Sequence, residues 1–298
     1  MKVALAGASG LIGHAVARAL EANGANIVRV GRDASCEVAL DLAAPRELAP
    51  RALAGCEALV HAAGVTDEDF GDPATAEAKA EAGARALFEG AMRDGVRRLA
   101  YVSSAHVYGP LEGLIDEAAP PRPASPYARA HHRTEELARE AARRSGAALL
   151  VARPCAVYGM PPSLARFRRW SLIPFDFPRQ ALEGRIVLKS AGLQRRNFVA
   201  AEGVANLVGW WLERGAAGET LANAPGPDEM TVYDFALMCA RLAKEASGRE
   251  PEVARPQAAG PVPAPFHYRT RVGGHLPGPA LEDHVRALLR ALATEGRS

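Results

Sequence analysis

The chain begins with a short run that reads as a buried strand, Lys2-Val-Ala-Leu-Ala6. Gly7-Ala-Ser-Gly-Leu-Ile-Gly13 comes directly after it, then a helical stretch from Ala15 to Asn23 that Gly24 closes. No other part of the sequence restricts the fold as much. Glycines at every third position let the backbone turn sharply and come close to a large anion, which then rests on the helix N-terminus. The glycines alone would describe an ordinary loop; a strand before them and a helix after them make a dinucleotide-binding turn. Gly7, Ser9, Gly10, Leu11, Ile12 and Gly13 are therefore expected around a pyrophosphate.

From Gly24 onward strand and helix alternate. Ile27 to Val30 is a second strand, ending in Gly31-Arg32-Asp33. A carboxylate at this strand end binds a ribose 2′-hydroxyl and selects NAD, whereas an arginine accommodates the 2′-phosphate of NADP. Arg32, with Arg29 nearby, favours NADP, while Asp33 is near enough to turn back and keep NAD open. Val38 to Leu42 is a short third strand, whose Asp41 and Leu42 are expected beside an adenine. Ala58 to Gly64 is the fourth, and its small residues Ala62, Ala63 and Gly64 leave room for a cofactor against the backbone. His61 reads as a packed core residue. A long helix, Ala74 to Asp94, leads to a fifth strand at Leu99. Such alternation implies right-handed crossovers and a doubly wound parallel sheet of Rossmann type, an α/β fold with its ligand crevice at the strand C-terminal ends.

The fifth strand runs into Ser103-Ser104, and Ser125-Pro126-Tyr127 opens the next helix, which runs to about Arg144. A hydroxyl at a strand end and a phenol on the first turn of a helix form a proton-handling pair, suited to a substrate oxygen while a neighbour moves a hydride. Ala148 to Ala152 is a sixth strand, followed by Arg153-Pro-Cys-Ala-Val-Tyr-Gly159. Residues 160–190 then turn proline-, arginine- and aromatic-rich without a steady period, as a lid or lobe would. Arg195-Arg-Asn-Phe-Val199 and the helix Val204 to Glu213 return to the main domain. A helix from Thr231 to Ala246, a Pro/Gly-rich stretch over 250–279 and a last helix from Ala280 to Leu292 complete the chain. The expected division is a Rossmann domain of residues 1–160 plus about 191–215, and a smaller, irregular substrate lobe of 161–190 and 216–298.

Composition excludes several classes. A chain of 298 residues, 48% hydrophobic, has enough apolar material for a large core. A net charge of +2 argues against a nucleic-acid tail or a membrane surface, and no apolar run reaches the length of a membrane span. The four cysteines, at 36, 56, 155 and 239, form no CxxC pair, so reduced thiols, no metal site and a cytoplasmic setting are expected. The glycines interrupt the apolar N-terminus, which argues against a secretory signal.

In order, GASGLIG, Asp41-Leu42, His61-Ala-Ala-Gly64, Val102-Ser-Ser-Ala-His-Val-Tyr-Gly109, Ser125-Pro-Tyr127, the RPxxVYG run at 153–159 and Arg195-Arg-Asn-Phe-Val199 resemble the extended short-chain dehydrogenase/reductases, the NAD-dependent epimerase/dehydratase family. The resemblance is strong over residues 1–160, fair to about 225 and weak beyond. It implies that Ser104 bonds the substrate oxygen, that Tyr127 is the general acid/base and that Pro154 lies at the cofactor. It also implies substrate contacts at His106 and at Arg195 or Arg196, either of which would hold a phosphate. The family carries a lysine four residues after the tyrosine, where it bonds the nicotinamide ribose and lowers the phenol pKa. Here that position is His131, on the same helix face as Tyr127. A neutral imidazole could bond the ribose but brings little positive charge near pH 7, because it titrates near ~6.5. Ala105-His106 replaces the Asp-Glu of the sugar dehydratases, so dehydration is not expected, and Ala156 replaces an asparagine that helps hold a diphosphate in many relatives.

The expected activity is an NADP- or NAD-linked oxidoreductase or epimerase acting on a small-molecule secondary alcohol or ketone, a nucleotide sugar among the candidates. Two rivals stay open: a cofactor-binding sensor or scaffold that lost the lysine, and a reductase of lipid-like or aromatic carbonyls, suggested by the aromatic lid. By analogy with the family, the two long helices at 74–94 and 127–144 could pair across a homodimer.

Overall fold

The computed structural model describes residues 1–41, 47–64, 72–215, 217–257, 264–273 and 277–295. Leu42 lies outside them.

The centre is a seven-stranded parallel sheet. Its strands are β1 (Lys2–Ala6), β2 (Asn26–Gly31), β3 (Val38–Ala39), β4 (Ala58–His61), β5 (Arg98–Val102), β7 (Ala148–Pro154) and β11 (Glu219–Ala224), in the order β11-β7-β5-β4-β1-β2-β3. Strand order reverses between β1 and β4, which is where a ligand crevice opens in such sheets. The middle strands are apolar without alternation: Ala58 to His61 and Leu99 to Val102 are buried throughout. That pattern belongs to a sheet covered on both faces. Helices α2 (Pro73–Arg93) and α3 (Pro126–Ser145) cover one face, over Leu59, Leu87, Phe88 and Leu149. Helices α1 (Leu11–Ala22) and α5 (Ala201–Arg214) cover the other, over Val3, Leu5, Leu150 and Trp211. The long helices α2 and α3 run alongside each other within one chain, joined by Arg129–Glu77 at 2.7 Å and Arg133–Glu81 at 2.9 Å.

Beside this sheet stands a lobe with a core of its own. Strand β10 (Arg195–Ala200) lies between β8 (Ala156–Tyr158) and β12 (Asp228–Thr231), and helices α4 (Ile173–Leu182), α6 (Val232–Ser247) and α7 (Leu281–Glu295) close around Phe177, Phe198 and Phe235. Two small strand pairs trim the edges. Strand β9 (Arg185–Val187) joins β13 (Glu252–Ala254), and β6 (Gly113–Ile115) joins β14 (Phe266–Tyr268). Glu117 fastens the second pair, accepting bonds from the backbone N–H of Asn223 at 2.7 Å and of Arg271 at 2.8 Å, and from the Thr270 hydroxyl at 2.5 Å.

Several boundaries differ from the sequence-based expectation. Helix α1 starts at Leu11, since Gly10, the second glycine of the turn, is its N-cap. The third strand ends at Ala39, so Asp41 lies beyond it. Glu219–Ala224 pairs along all of β7 and extends the central sheet into a stretch assigned to the lobe, because its Ala222 and Ala224 fill the sheet's own core. Conversely β10 belongs to the lobe's sheet, and only the helix after it, α5, returns to the central one. Within 160–190 a helix does form despite Pro174 and Pro178, with Phe175 and Phe177 buried. Among the described residues no helix is long and apolar enough to cross a membrane.

Candidate active site

One wide cleft runs from the C-terminal ends of β1, β2, β4 and β5 to the inner face of the lobe. Its sheet-side floor is the turn after β1. Gly7 has φ +89°, a backbone conformation that glycine adopts freely, and a Cβ there would stand 2.5 Å from the Ala63 amide nitrogen. Gly13 does not line the cleft. It holds α1 against the turn, since a Cβ at this point would lie 2.0 Å from the Gly7 carbonyl oxygen. Gly10 does line it; an added Cβ would stand 3.3 Å from the Gly7 carbonyl oxygen and meet no other atom within 4 Å, so a side chain there would project into the cleft. No side chain caps α1. Its first-turn amides, at Leu11 and Ile12 on the cleft wall, and the positive end of the helix dipole face an open cradle. These features fit a pyrophosphate-bearing dinucleotide.

Ser9, Ala62, Ala63, Gly64, Arg32, Asp41 and Pro154 line the same cleft. Arg32 is exposed at the end of β2. Arg29 is taken up by Glu21 at 2.8 Å and Glu37 at 3.9 Å, on the surface.

The proton-handling groups meet in mid-cleft. Ser104 comes just after β5, and its Oγ accepts the backbone N–H of His106 at 3.2 Å, which leaves the serine's own proton free to donate. That bond caps a short 3-10 turn, Ala105–Tyr108, and fixes where Ser104 points. Helix α3 starts where it does because the Ser125 hydroxyl accepts the Ala128 N–H at 3.1 Å and Pro126 pre-sets the first turn. Tyr127 is therefore held on the first turn, over the cleft. The His106 ring stands edge-on to Tyr127 with centroids 5.9 Å apart, and His131, one turn on, at 4.5 Å. Ser104, His106, Tyr127 and His131 all line the cleft.

His131 is 7% exposed, and its Nδ1 is 2.7 Å from the Tyr101 hydroxyl. Burial pushes its pKa down to about 3; Glu135 pulls the other way, and the charges of Arg169, His61 and His106 add to the lowering. The ring is neutral at any ordinary pH. His61, with its Nδ1 buried and unpartnered, packs between Phe88 and Tyr101, and burial lowers its pKa to about 4.

Beneath the pair lies a fully buried carboxylate that sequence reasoning missed. Glu135 Oε1 accepts the Ser103 hydroxyl at 2.6 Å and Arg153 Nε at 2.8 Å; its Oε2 accepts Arg153 Nη2 at 2.6 Å and Arg139 Nη1 at 3.2 Å. Burial alone would raise the carboxyl's pKa, but the Arg153 guanidinium outweighs it and holds the group below the usual range. Arg153 also lies over the Tyr108 ring, 4.6 Å from its centroid. The knot joins the ends of β5 and β7 to α3, and so sets Ser104 against Tyr127. Its signal was present in the spacing: Tyr127, His131 and Glu135 recur every four residues on one helix face.

The lobe contributes charge. Arg166, Arg168, Arg169, Lys189 and Arg196 line the cleft, and its carboxylate on that side, Asp176, is bonded to Arg179 and Gln180. Arg195 is a correction. Neighbouring strand residues face opposite ways, so only Arg196 lines the cleft, while Arg195 donates to the Glu229 carbonyl at 2.7 Å.

A cleft with these parts, at the reversal point of a doubly wound sheet, defines a Rossmann-type protein with a second, smaller lobe facing the sheet. The model of the NAD dependent epimerase/dehydratase family matches residues 3–223, and the chain belongs to that family. Solved structures share the architecture across nearly the whole chain. MoeE5 in complex with UDP-glucose and NAD superposes with a TM-score of 0.78 at 21% identity, covering 100% of both chains. UDP-glucuronic acid 4-epimerase from Bacillus cereus, with UDP-glucuronic acid and NAD, gives 0.77 at 18% identity over 99% of this chain and 100% of that one. RMD from Pseudomonas aeruginosa, complexed with NADPH, gives 0.77 at 21% identity over 98% and 99%. At these identities the likeness establishes the fold. A comparison with curated protein sequences returns no match.

Proposed function

We propose that this chain is a nicotinamide-dinucleotide-dependent oxidoreductase or epimerase acting on a secondary alcohol or ketone carried by a nucleotide sugar. One observation carries the reading: Ser104, Tyr127 and His131 converge in the cleft whose other end is the uncapped, glycine-lined start of α1. Leu11 and Ile12 would bind the pyrophosphate through backbone N–H groups, with Ala62, Ala63, Gly64 and Pro154 forming the wall beside it. Exposed Arg32 supports NADP over NAD through a charge-assisted bond to a 2′-phosphate. When bound, the dinucleotide supplies a hydride acceptor and donor.

The chain's residues do the rest. Ser104 donates its proton to the substrate oxygen, while one of its oxygen lone pairs accepts the His106 amide. Tyr127 takes the hydroxyl proton in oxidation and returns it in reduction. Neutral His131 would lie beside the nicotinamide ribose and orient it by hydrogen bonding rather than by charge. The cations of the lobe wall favour an anionic, phosphate-bearing substrate over an aromatic or lipid-like carbonyl, since of the aromatic residues Phe167, Trp170 and Phe175 only Phe167 lines the cleft, and its ring packs edge-on to Trp170 and tilted against Phe175.

The first test is the identity of any nucleotide that copurifies with the protein, followed by hydride-transfer assays on nucleotide sugars and simple carbonyls. Tyr127→Phe should lower turnover by about 10²–10⁴-fold with little change in dinucleotide affinity. If wild type and Tyr127→Phe are equally inactive across the panel while a dinucleotide still binds, the chain is a cofactor-binding sensor or scaffold instead.

A further inference from the structure

Tyr101 has no task in the proposed chemistry, yet it is placed with care. It sits on β5 with 3% of its surface exposed, its ring 5.1 Å from that of His61 and 6.0 Å from that of His131. Its hydroxyl is 2.7 Å from His131 Nδ1. With Nδ1 turned to the core, Nε2 is the nitrogen left to the cleft that His131 lines.

We propose that Tyr101 is a positioning residue: its O–H donates to Nδ1 and fixes His131 as the Nε2–H tautomer, so that the imidazole presents one fixed donor to a ribose hydroxyl of the bound dinucleotide. This rests on the proposed function, in which the ribose lies beside His131. A phenol O–H is the stronger donor of the two groups and an sp² ring nitrogen the stronger acceptor, so the bond runs from oxygen to nitrogen. The proton stays on Tyr101, because burial pushes its pKa well above the ordinary value. The imidazole remains neutral, so only one of its nitrogens carries hydrogen, and the nitrogen that accepts from Tyr101 cannot be that one. A competing arrangement exists. Thr134 donates its own proton to the Ala130 carbonyl at 3.0 Å, which leaves its oxygen able to accept from Tyr101. Nδ1–H would then donate to Tyr101, and Nε2 would face the cleft as an acceptor. In a lysine-bearing site the ammonium rotates and donates in several directions. Here direction is supplied from behind, by a second side chain on a neighbouring strand.

The test is a nitrogen NMR spectrum of the full-length protein labelled with ¹⁵N-histidine, the His131 signals being identified by their loss in His131→Gln. The expected wild-type spectrum has a bare Nδ1 and a protonated Nε2. Tyr101→Phe keeps the ring that packs against His61 and removes only the donor. It should shift His131 toward a mixture of tautomers and weaken NADH binding roughly fivefold, the net worth of one neutral hydrogen bond. Thr134→Val should leave the His131 spectrum unchanged. A protonated Nδ1 in the wild type, or a His131 spectrum indifferent to Tyr101→Phe, overturns the inference. Wild-type protein that binds neither NADH nor NADPH would instead overturn the function on which it rests, whatever the tautomer.

Discussion

On its sheet side the cleft is bounded by backbone: Gly7 and Gly10, the amides of Leu11 and Ile12, and the small residues Ala62 to Gly64. On its lobe side it is bounded by long side chains: Arg166, Arg168, Arg169, Lys189 and Arg196, of which Arg166, Arg168 and Lys189 are exposed. The first wall is rigid and reads shape, because its groups are fixed by the strand–turn–helix and lose little freedom when a ligand arrives. The second reads charge through flexible arms that must be ordered at some cost in entropy. A cofactor common to many proteins suits the first kind of wall. A substrate that differs from one relative to the next suits the second.

The contrast can be broken most sharply at the glycines. Gly13→Val places carbon where the Gly7 carbonyl oxygen lies, and that neighbour is backbone that cannot yield. It should destabilise the protein by about 3 kcal/mol or more, read as a large fall in melting temperature. Gly10→Val meets only the Gly7 carbonyl oxygen, at 3.3 Å, a contact that a shift of a few tenths of an ångström relieves, so the fold should hold at some cost in stability while calorimetry shows dinucleotide binding lost. Equal affinity in wild type and Gly10→Val would mean that the shape-reading wall is elsewhere.

Arg32 is an exposed side chain on the sheet-side wall, so it sharpens the comparison. Arg32→Ala should weaken NADPH by about 1.5–3 kcal/mol, the range for a hydrogen bond to a charged group, and leave NADH nearly unchanged. Tighter binding of NADH than NADPH by the wild type would move attention to Asp33.

The smallest effect asks whether the two sides melt as one body. His131 and His61 belong to the sheet side and His284 to the lobe core, where its Nε2 meets the Pro174 carbonyl at 3.2 Å. Burial holds all three low: His131 to about 3, His61 and His284 to about 4. Below pH ~6.5 the unfolded chain takes up protons that these folded sites refuse, so stability is full above that pH and falls as pH drops toward 4. His284→Gln should remove one such group and flatten the slope by at most about 1.4 kcal/mol per pH unit. If lobe and sheet probes follow one acid transition in wild type and variant alike, the walls are coupled; two transitions, with only the lobe's altered, would separate them.

The same division explains what was legible beforehand. The strand, glycine turn and helix of residues 2–24 are local, and so are the serine at the end of β5 and the capped start of α3, because their determinants lie within a few residues of one another. Tyr101 and Arg153 were not legible as site residues. Their meaning depends on β5 lying parallel to β7 and on α3 crossing both, a contact between segments far apart in sequence. The lobe was least legible of all. Its sheet takes strands from residues 156–158, 195–200 and 228–231, each too short to show a period. Strand β11, Glu-Thr-Leu-Ala-Asn-Ala, shows no alternation of apolar and polar residues, and nothing local says that it is a strand or which of two sheets it joins.

The buried Glu135 knot has a consequence for motion. Ser103, Arg153 and Arg139 share one carboxylate, and removing either Glu135 or Arg153 strands the other's charge in the interior, a cost of several kcal/mol. A fluctuation that drew the first turns of α3 away from β5 would have to open all these bonds together. The serine and the tyrosine of the site thus belong to a single cooperative unit. The Ser103 amide, bonded to the Ala152 carbonyl at 2.7 Å across β5 and β7, should exchange with solvent only when the whole central sheet opens, while the arginines of the facing loop come and go without it.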